Sequence, residues 1–245
     1  MLNAPTYEID LQKFWDDPYP DMAVMREECP IAYVPQLNGV VFTRRDDIFV
    51  NEKKVDIFSS VQPKGLMQRL MGQNMMRKDG DQHAFERKNV YPTTSPKTVR
   101  QVWSEKFQAS TDEIIAEIRP KGNADVVTEI AMRISGEALK IITGLTQITW
   151  KEMDRVSQGM IDGCANYLSD PEVELRCNDC TASIDQYIDE MMPVYEKSPD
   201  HSLLSVQMQA GLPEDVIRAN IKLAISGGQN ETRDVIAGIV WALLN

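Results

Sequence analysis

The segment "KLAISGGQNETRDVIAGIVWALLN", residues 222–245, constrains this chain more than any other. Helical spacing from Pro213 to the end predicts one helix of roughly 30 residues, about 45 Å long. Ile217, Ile221, Leu223 and Ile225 precede an interruption, and Val235, Ile236, Ile239, Val240 and Leu243 follow it, so the helix is apolar on nearly every side. Such a helix has to be buried centrally. Gly227 and Gly228 interrupt it, and a glycine weakens a helix by about 1 kcal/mol relative to alanine. Two physical readings explain the weak point. Either the glycines let another helix pack closely, or they bare the backbone so that a flat ligand can approach it. In the second case a kink frees carbonyls for water or for Thr232, and Gln229, Asn230, Glu231 and Thr232 face a cavity.

The remainder reads as a mainly α chain with a small β hairpin near its front. Two short strands, Ile31 to Val34 and Val40 to Thr43, flank Asn38-Gly39, a dipeptide suited to positive φ in a tight turn. After Phe58 the spacing is helical. Ser95-Pro96 marks one helix start and Thr149 to Glu152 forms a capping box. Loops surround Pro120, Pro171 and Pro199. A chain of 245 residues, 42% hydrophobic and 26% charged, supports one globular domain over 1–245.

The formal charge of -11 excludes a phosphate-neutralising nucleic-acid surface and disfavours an anionic membrane. No secretory signal opens the chain, and "VIAGIVWALL" is shorter than the ~20 apolar residues of a membrane span; a cytoplasmic location is expected. Four cysteines, Cys29, Cys164, Cys177 and Cys180, are too few for a disulfide framework. Cys177 and Cys180 form a C-x-x-C without a second pair or a nearby histidine, and read as helix-packing residues, since zinc needs about four ligands.

His83 and Arg87 lie four apart and share one helical face. Around them stand the acidic, glycine-containing lead-in at Asp79 to Asp81 and the Ser95-Pro96 helix start. With Pro-Tyr-Pro at 18 to 20, "VVFTRRDDI", "FSS" at 58 to 60 and the Gly-Gly break, their order along the whole chain resembles the cytochrome P450 heme-thiolate monooxygenases of the soluble bacterial type.

The resemblance implies the front portion of the P450 fold and heme b (iron protoporphyrin IX) as cofactor. It makes His83 and Arg87 the partners of the heme propionates, and has Gly227 and Gly228 bring the central helix close to the distal face where oxygen binds. It implies a monooxygenase acting on a small, apolar or aromatic organic substrate. O2 and electrons from NAD(P)H, through a reductase and a ferredoxin-type donor, complete the reaction. Peroxide-driven or non-hydroxylating oxidation, or a non-catalytic helical binding module, are the alternatives. The substrate pocket is expected from Ser59 to Met76, from Met160 to Cys180, and from Ile225 and Ser226, with Met67, Met71, Met75 and Met76 as candidate lining.

The match departs from the family in two places. Anchoring the family glycine on Gly228 puts Asn230 at the acid position and Glu231 at the alcohol position; taking Glu231-Thr232 as the acid-alcohol pair puts Gln229 at the glycine. The glycine-anchored register is preferred, because a glutamine cannot supply steric access. Glu231, helped by Asn230 and ordered water, is then the proton-delivering group, with Thr232 in reserve. No proximal cysteine loop is recognisable and Glu152 to Arg155 fits Glu-x-x-Arg in the wrong place, so the chain reads as the front half of a longer protein, with its axial cysteine beyond Asn245.

Overall fold

A computed structural model describes residues 4–244. Its contacts divide the chain into two compact units, Met1–Ser59 and Ser60–Asn245. In the first, Asp10 caps helix α1 (Leu11–Asp16) by accepting the backbone N–H groups of Gln12 and Lys13. Helix α2 (Tyr19–Glu28) follows Pro18. Strands β1 (Ile31–Val34) and β2 (Gly39–Phe42) pair antiparallel, with Ile31 opposite Phe42 and Val34 opposite Gly39; helix α3 (Arg45–Asn51) comes next. The period-2 alternation of a strand sends Ala32 and Val34 inward, onto Ile9 and Met25.

The second strand begins one residue earlier than its sequence pattern predicts, because the Asn-Gly pair does not form the turn alone. Pro35–Leu37 makes a 3-10 turn, and Asn38 takes the left-handed conformation at φ 48°. Gly39 already belongs to the ladder. The Tyr33 hydroxyl donates to Asn38 Oδ1 at 3.1 Å and pins the corner.

The second unit is helical: α4 (Leu66–Met71), α5 (Gly80–Thr94), α6 (Pro96–Thr98), α7 (Ser104–Ile118), α8 (Met132–Thr143), α9 (Trp150–Cys164), α10 (Pro171–Lys197), α11 (Leu203–Gln209), α12 (Glu214–Ser226) and α13 (Gln229–Leu244). The expected caps form. Ser95 Oγ accepts the Thr98 N–H at 3.1 Å with Pro96 in the first turn, and Thr149 Oγ1 accepts the Glu152 N–H at 3.1 Å. The other half of the Thr149 box is diverted: Glu152 forms a two-pronged ion pair with Arg155, at 2.7 Å on each oxygen, and accepts the Ser183 hydroxyl.

Helices α9 and α10 meet along a strip of small residues. A Cβ on Gly159 would collide with Cys180 Sγ, and one on Gly163 would lie 2.5 Å from Cys177 Sγ. The C-x-x-C is thus a packing device: both cysteines are buried, and no cluster of three or more metal-ligating side chains exists among the described residues. Burial pushes the Cys177 thiol up to about 11 and raises Cys180 as well. Both thiols stay protonated at neutral pH and are poor nucleophiles.

The predicted long final helix is two helices. The Gly227 N–H still reaches Leu223 O at 3.0 Å, but Gly228 turns back to Ile225 O at 3.3 Å, and a new helix starts at Gln229. Central burial holds for α12, whose Ile217, Ile221 and Ile225 are at most 2% exposed. It does not hold for α13. That helix packs on α8, on α9 and on the π-helical turn Val126–Ala131, while Val235, Ile239 and Trp241 are 60%, 54% and 69% exposed. Among the described residues no helix is long and apolar enough to cross a membrane.

A buried polar network ties α5 to α11 and α12. Lys78 and Glu86 form an ion pair with side chains 2% and 5% exposed. Asn220 Nδ2 donates to Glu86 Oε2 at 3.2 Å and to Gln207 Oε1 at 3.0 Å, and Asn220 Oδ1 accepts the Met75 N–H at 2.8 Å. Gln207 Nε2 ends on Leu203 O at 3.0 Å. Removing one partner of such a pair strands a buried charge.

Two outcomes follow for stability. Glu86→Ala lowers unfolding free energy in denaturant melts by about 3–5 kcal/mol, and pairing it with Lys78→Met recovers most of the loss. Gly159→Ala costs about 1–3 kcal/mol through overpacking, and Cys177 and Cys180 react with a thiol-labelling disulfide only after denaturation, as mass spectrometry of labelled peptides would read.

Candidate functional site

A cleft of about 340 Å³ opens in the second unit where three segments converge. Met67 of α4 and Met76 form one wall; Ile161 and Cys164 at the end of α9, with Ala165 and Tyr167 beyond it, form another. The third is the α12–α13 junction, through Leu223, Ser226, Gly227 and Glu231. Leu223 and Gly227, four apart at the end of α12, share one helical face, and Glu231 joins the same lining from the first turn of α13, across the break. The polar run therefore delivers one residue, Glu231, to the cleft.

The two glycines have different tasks. A Cβ on Gly227 would meet only Leu223 O, at an ordinary 3.4 Å, so the backbone here forms a bare patch of the cleft wall. A Cβ on Gly228 would fall 2.6 Å from Ala224 O and 3.0 Å from Leu139 Cδ1. Gly228 is needed for close packing on α8; Gly227 leaves surface open. Close packing, the first reading of the weak point, holds at Gly228, while Gly227 leaves backbone open.

Two carbonyls flanking the break take hydroxyl donors from neighbouring helices, where a bond from Thr232 is the expectation. Ser157 of α9 donates to Ile225 O at 3.1 Å, and Ser135 of α8 donates to Gln229 O at 2.6 Å. Each such bond is worth about 1 kcal/mol net, and a buried carbonyl left without one costs more. Gln229 is fully buried; its Nε2 spans to Met132 O and Asp154 Oδ1, each at 3.3 Å. Asn230 turns toward α9, donating to Gln158 Oε1 at 3.3 Å. Thr232 is exposed and outside the cleft lining.

Of the two residues expected to touch substrate, Ser226 lines the cleft and donates its hydroxyl to Leu223 O at 3.2 Å. Ile225 is fully buried in the core. Met67 and Met76 line the cleft as expected, whereas Met71 and Met75 belong to the core and its margin. Leu223 is a lining residue that the sequence did not single out, although its spacing from Gly227 carried the signal. Burial raises the Cys164 thiol, with Arg77 pulling the other way.

His83 and Arg87 stand on α5, both exposed, and neither lines the cleft. Among the described residues no side-chain partner engages either. The helix beneath them is held by Glu86, whose place in the buried network the sequence did not disclose: its partner Asn220 lies 134 residues away. Along α12 the only hint was Asn220 itself, an uncharged polar side chain on a largely apolar face.

No family model matches the chain. Among curated proteins it is similar to pulcherriminic acid synthase of Bacillus subtilis (strain 168), 20% identical over 201 residues, covering 79% of this chain and 48% of that protein. The chain thus spans about half the length of that relative. Among solved structures it matches P450BioI in complex with hexadec-9Z-enoic acid ligated acyl carrier protein, with a TM-score of 0.78 at 15% identity, over 96% of this chain and 63% of that one. It also matches CalO2, with a TM-score of 0.73, 19% identity and coverage of 97% and 62%. CYP109E1 from Bacillus megaterium in complex with testosterone gives 0.71, 17%, 93% and 59%. The mainly helical arrangement with one small antiparallel hairpin is the cytochrome P450 fold, over a little under two thirds of the length of those structures.

Proposed function

We propose that this chain, over 1–245, is part of the catalytic domain of a heme-dependent monooxygenase that oxidises a small, largely apolar organic molecule. The observation that carries the reading is the bare Gly227 patch beside Glu231 in an otherwise apolar cleft, on a fold that heme monooxygenases share. Heme b, when bound, supplies the activation of O2 by electrons drawn from NAD(P)H through a reductase and a ferredoxin-type donor.

The residues present fit that group. An imidazole and a guanidinium one turn apart, engaged by no other side chain, form a donor set for two carboxylates, which need charge-assisted hydrogen bonds to leave water cheaply. His83 and Arg87 would hold the propionates. Gly227 leaves room for a flat macrocycle against the helix junction, and Gly228 keeps that junction seated on α8. None of Cys164, Cys177 and Cys180 is proposed to hold the iron: Cys164 ends α9, and Cys177 and Cys180 lie within α10, packed against Gly163 and Gly159.

The Glu231 carboxyl would relay a proton from solvent into the cleft, taking one up as it gives one over. Asn230, one residue earlier and tied to Gln158, steadies the start of α13, and Thr232 is the reserve proton donor. Leu223, Ser226, Met67 and Met76 hold the substrate's apolar body and exclude water, while Ile225 supports the wall from within the core. The buried side chain of Gln229 favours the glycine-anchored register: its amide is committed to α8 and α9, so it does not occupy the ligand face. A cytoplasmic setting accompanies this reading.

The reduced, carbon monoxide-bound spectrum of the full-length protein decides the class. The red-shifted Soret band of a thiolate-ligated heme is expected, and its absence leaves a helical binding module. His83→Ala with Arg87→Ala should cut heme retention about tenfold or more. Glu231→Gln should lower product formed per NAD(P)H consumed by about tenfold or more, with Thr232→Ala close to wild type; the reverse ranking moves the role to Thr232.

A further inference from the structure

Among the described residues that line the cleft, Glu231 is the only Asp, Glu, Lys, Arg or His. The Cys164 thiol is held neutral by burial, and Ser226 already spends its hydroxyl proton on Leu223 O. No ion pair neutralises Glu231 among the described residues. The nearest cation in its field, Arg233, is taken by Asp234 at 2.8 Å and lies 3.9 Å from Asp154. Met67 and Met76 offer polarisable thioethers to the cleft.

Resting on the assignment of this cleft as the substrate pocket, we propose that it selects cationic substrates, an apolar skeleton bearing a quaternary or protonated nitrogen, and rejects carboxylates. A carboxylate seated in the cleft would meet a like charge on its wall, which is how sites discriminate against a wrong ligand. A cationic head gains the same field with opposite sign. The opposing feature is Arg77. Its Nε is buried without a hydrogen-bond partner and its charge acts on Cys164, but it stands behind the lining and is not part of it.

Decyltrimethylammonium, decan-1-ol and decanoate share one chain and differ in head charge, and the quaternary head has no lone pair to ligate iron. Calorimetric titration of each into the full-length, heme-loaded protein, at low and high salt, reads the preference without using turnover or heme optics. The cation should bind about tenfold more tightly than decanoate, with the alcohol between them and the gap narrowing in high salt. Glu231→Gln should bring the two ions to within about twofold. Decanoate binding as tightly as the cation, or more so, overturns the proposal and hands the cleft's polarity to Arg77. A preference that survives Glu231→Gln overturns it too. Failure of all three probes to bind, with a normal carbon monoxide spectrum, removes the cleft as the substrate pocket while leaving the heme reading intact.

Discussion

The second unit depends on a charge that has nowhere else to go. Glu86 sits on the buried side of α5, where a lone carboxylate would be prohibitive, and the structure answers it with Lys78, Asn220 and Gln207. Each member is useful only with the others in place, so the network acts as a single fastener between α5, α11 and α12. Asn220 is its centre because one amide can accept from Met75 and donate to two oxygens at once. The same α5 bears His83 and Arg87, and α12 leads directly into the Gly227 wall.

The α12–α13 junction shows how a costly break is made tolerable. Two adjacent glycines lose helix stability. Ser157 and Ser135 donate from neighbouring helices to Ile225 O and Gln229 O, on either side of the pair, and Gln229 clamps the start of α13 to α8 and α9. Gly228 lets the backbone seat against Leu139. What emerges is a corner tied to α8 and α9 on one side, with bare backbone at Gly227 on the other. On the far side of α9, Gly159 and Gly163 receive Cys180 and Cys177 in the same way, fixing the helix whose end supplies Ile161 and Cys164 to the cleft.

Much of this was legible in the residues. β1, the caps at Ser95 and Thr149, the loop prolines and the mainly helical class all rest on local rules, where a residue's own backbone preference or side-chain reach decides the outcome. The segments that line the cleft lie within those the family resemblance named; the residues themselves marked only the Gly-Gly weak point. The single long helix was not right, because periodicity continues across a glycine pair whether or not the backbone does. Full burial of α13 failed for a related reason: apolar spacing shows which face wants cover, not which neighbour provides it among these residues.

By itself, then, the sequence determined the helical class, the hairpin, the helix ends and the shared face of His83 and Arg87, all set by interactions spanning a few residues. Tertiary structure alone decided which of Gln229, Asn230, Glu231 and Thr232 meets the cleft, which glycine packs and which stays bare, and that Glu86 is a buried anchor. Those outcomes depend on partners dozens to more than a hundred positions away, whose approach is governed by packing and by the demand that every buried polar group find a mate.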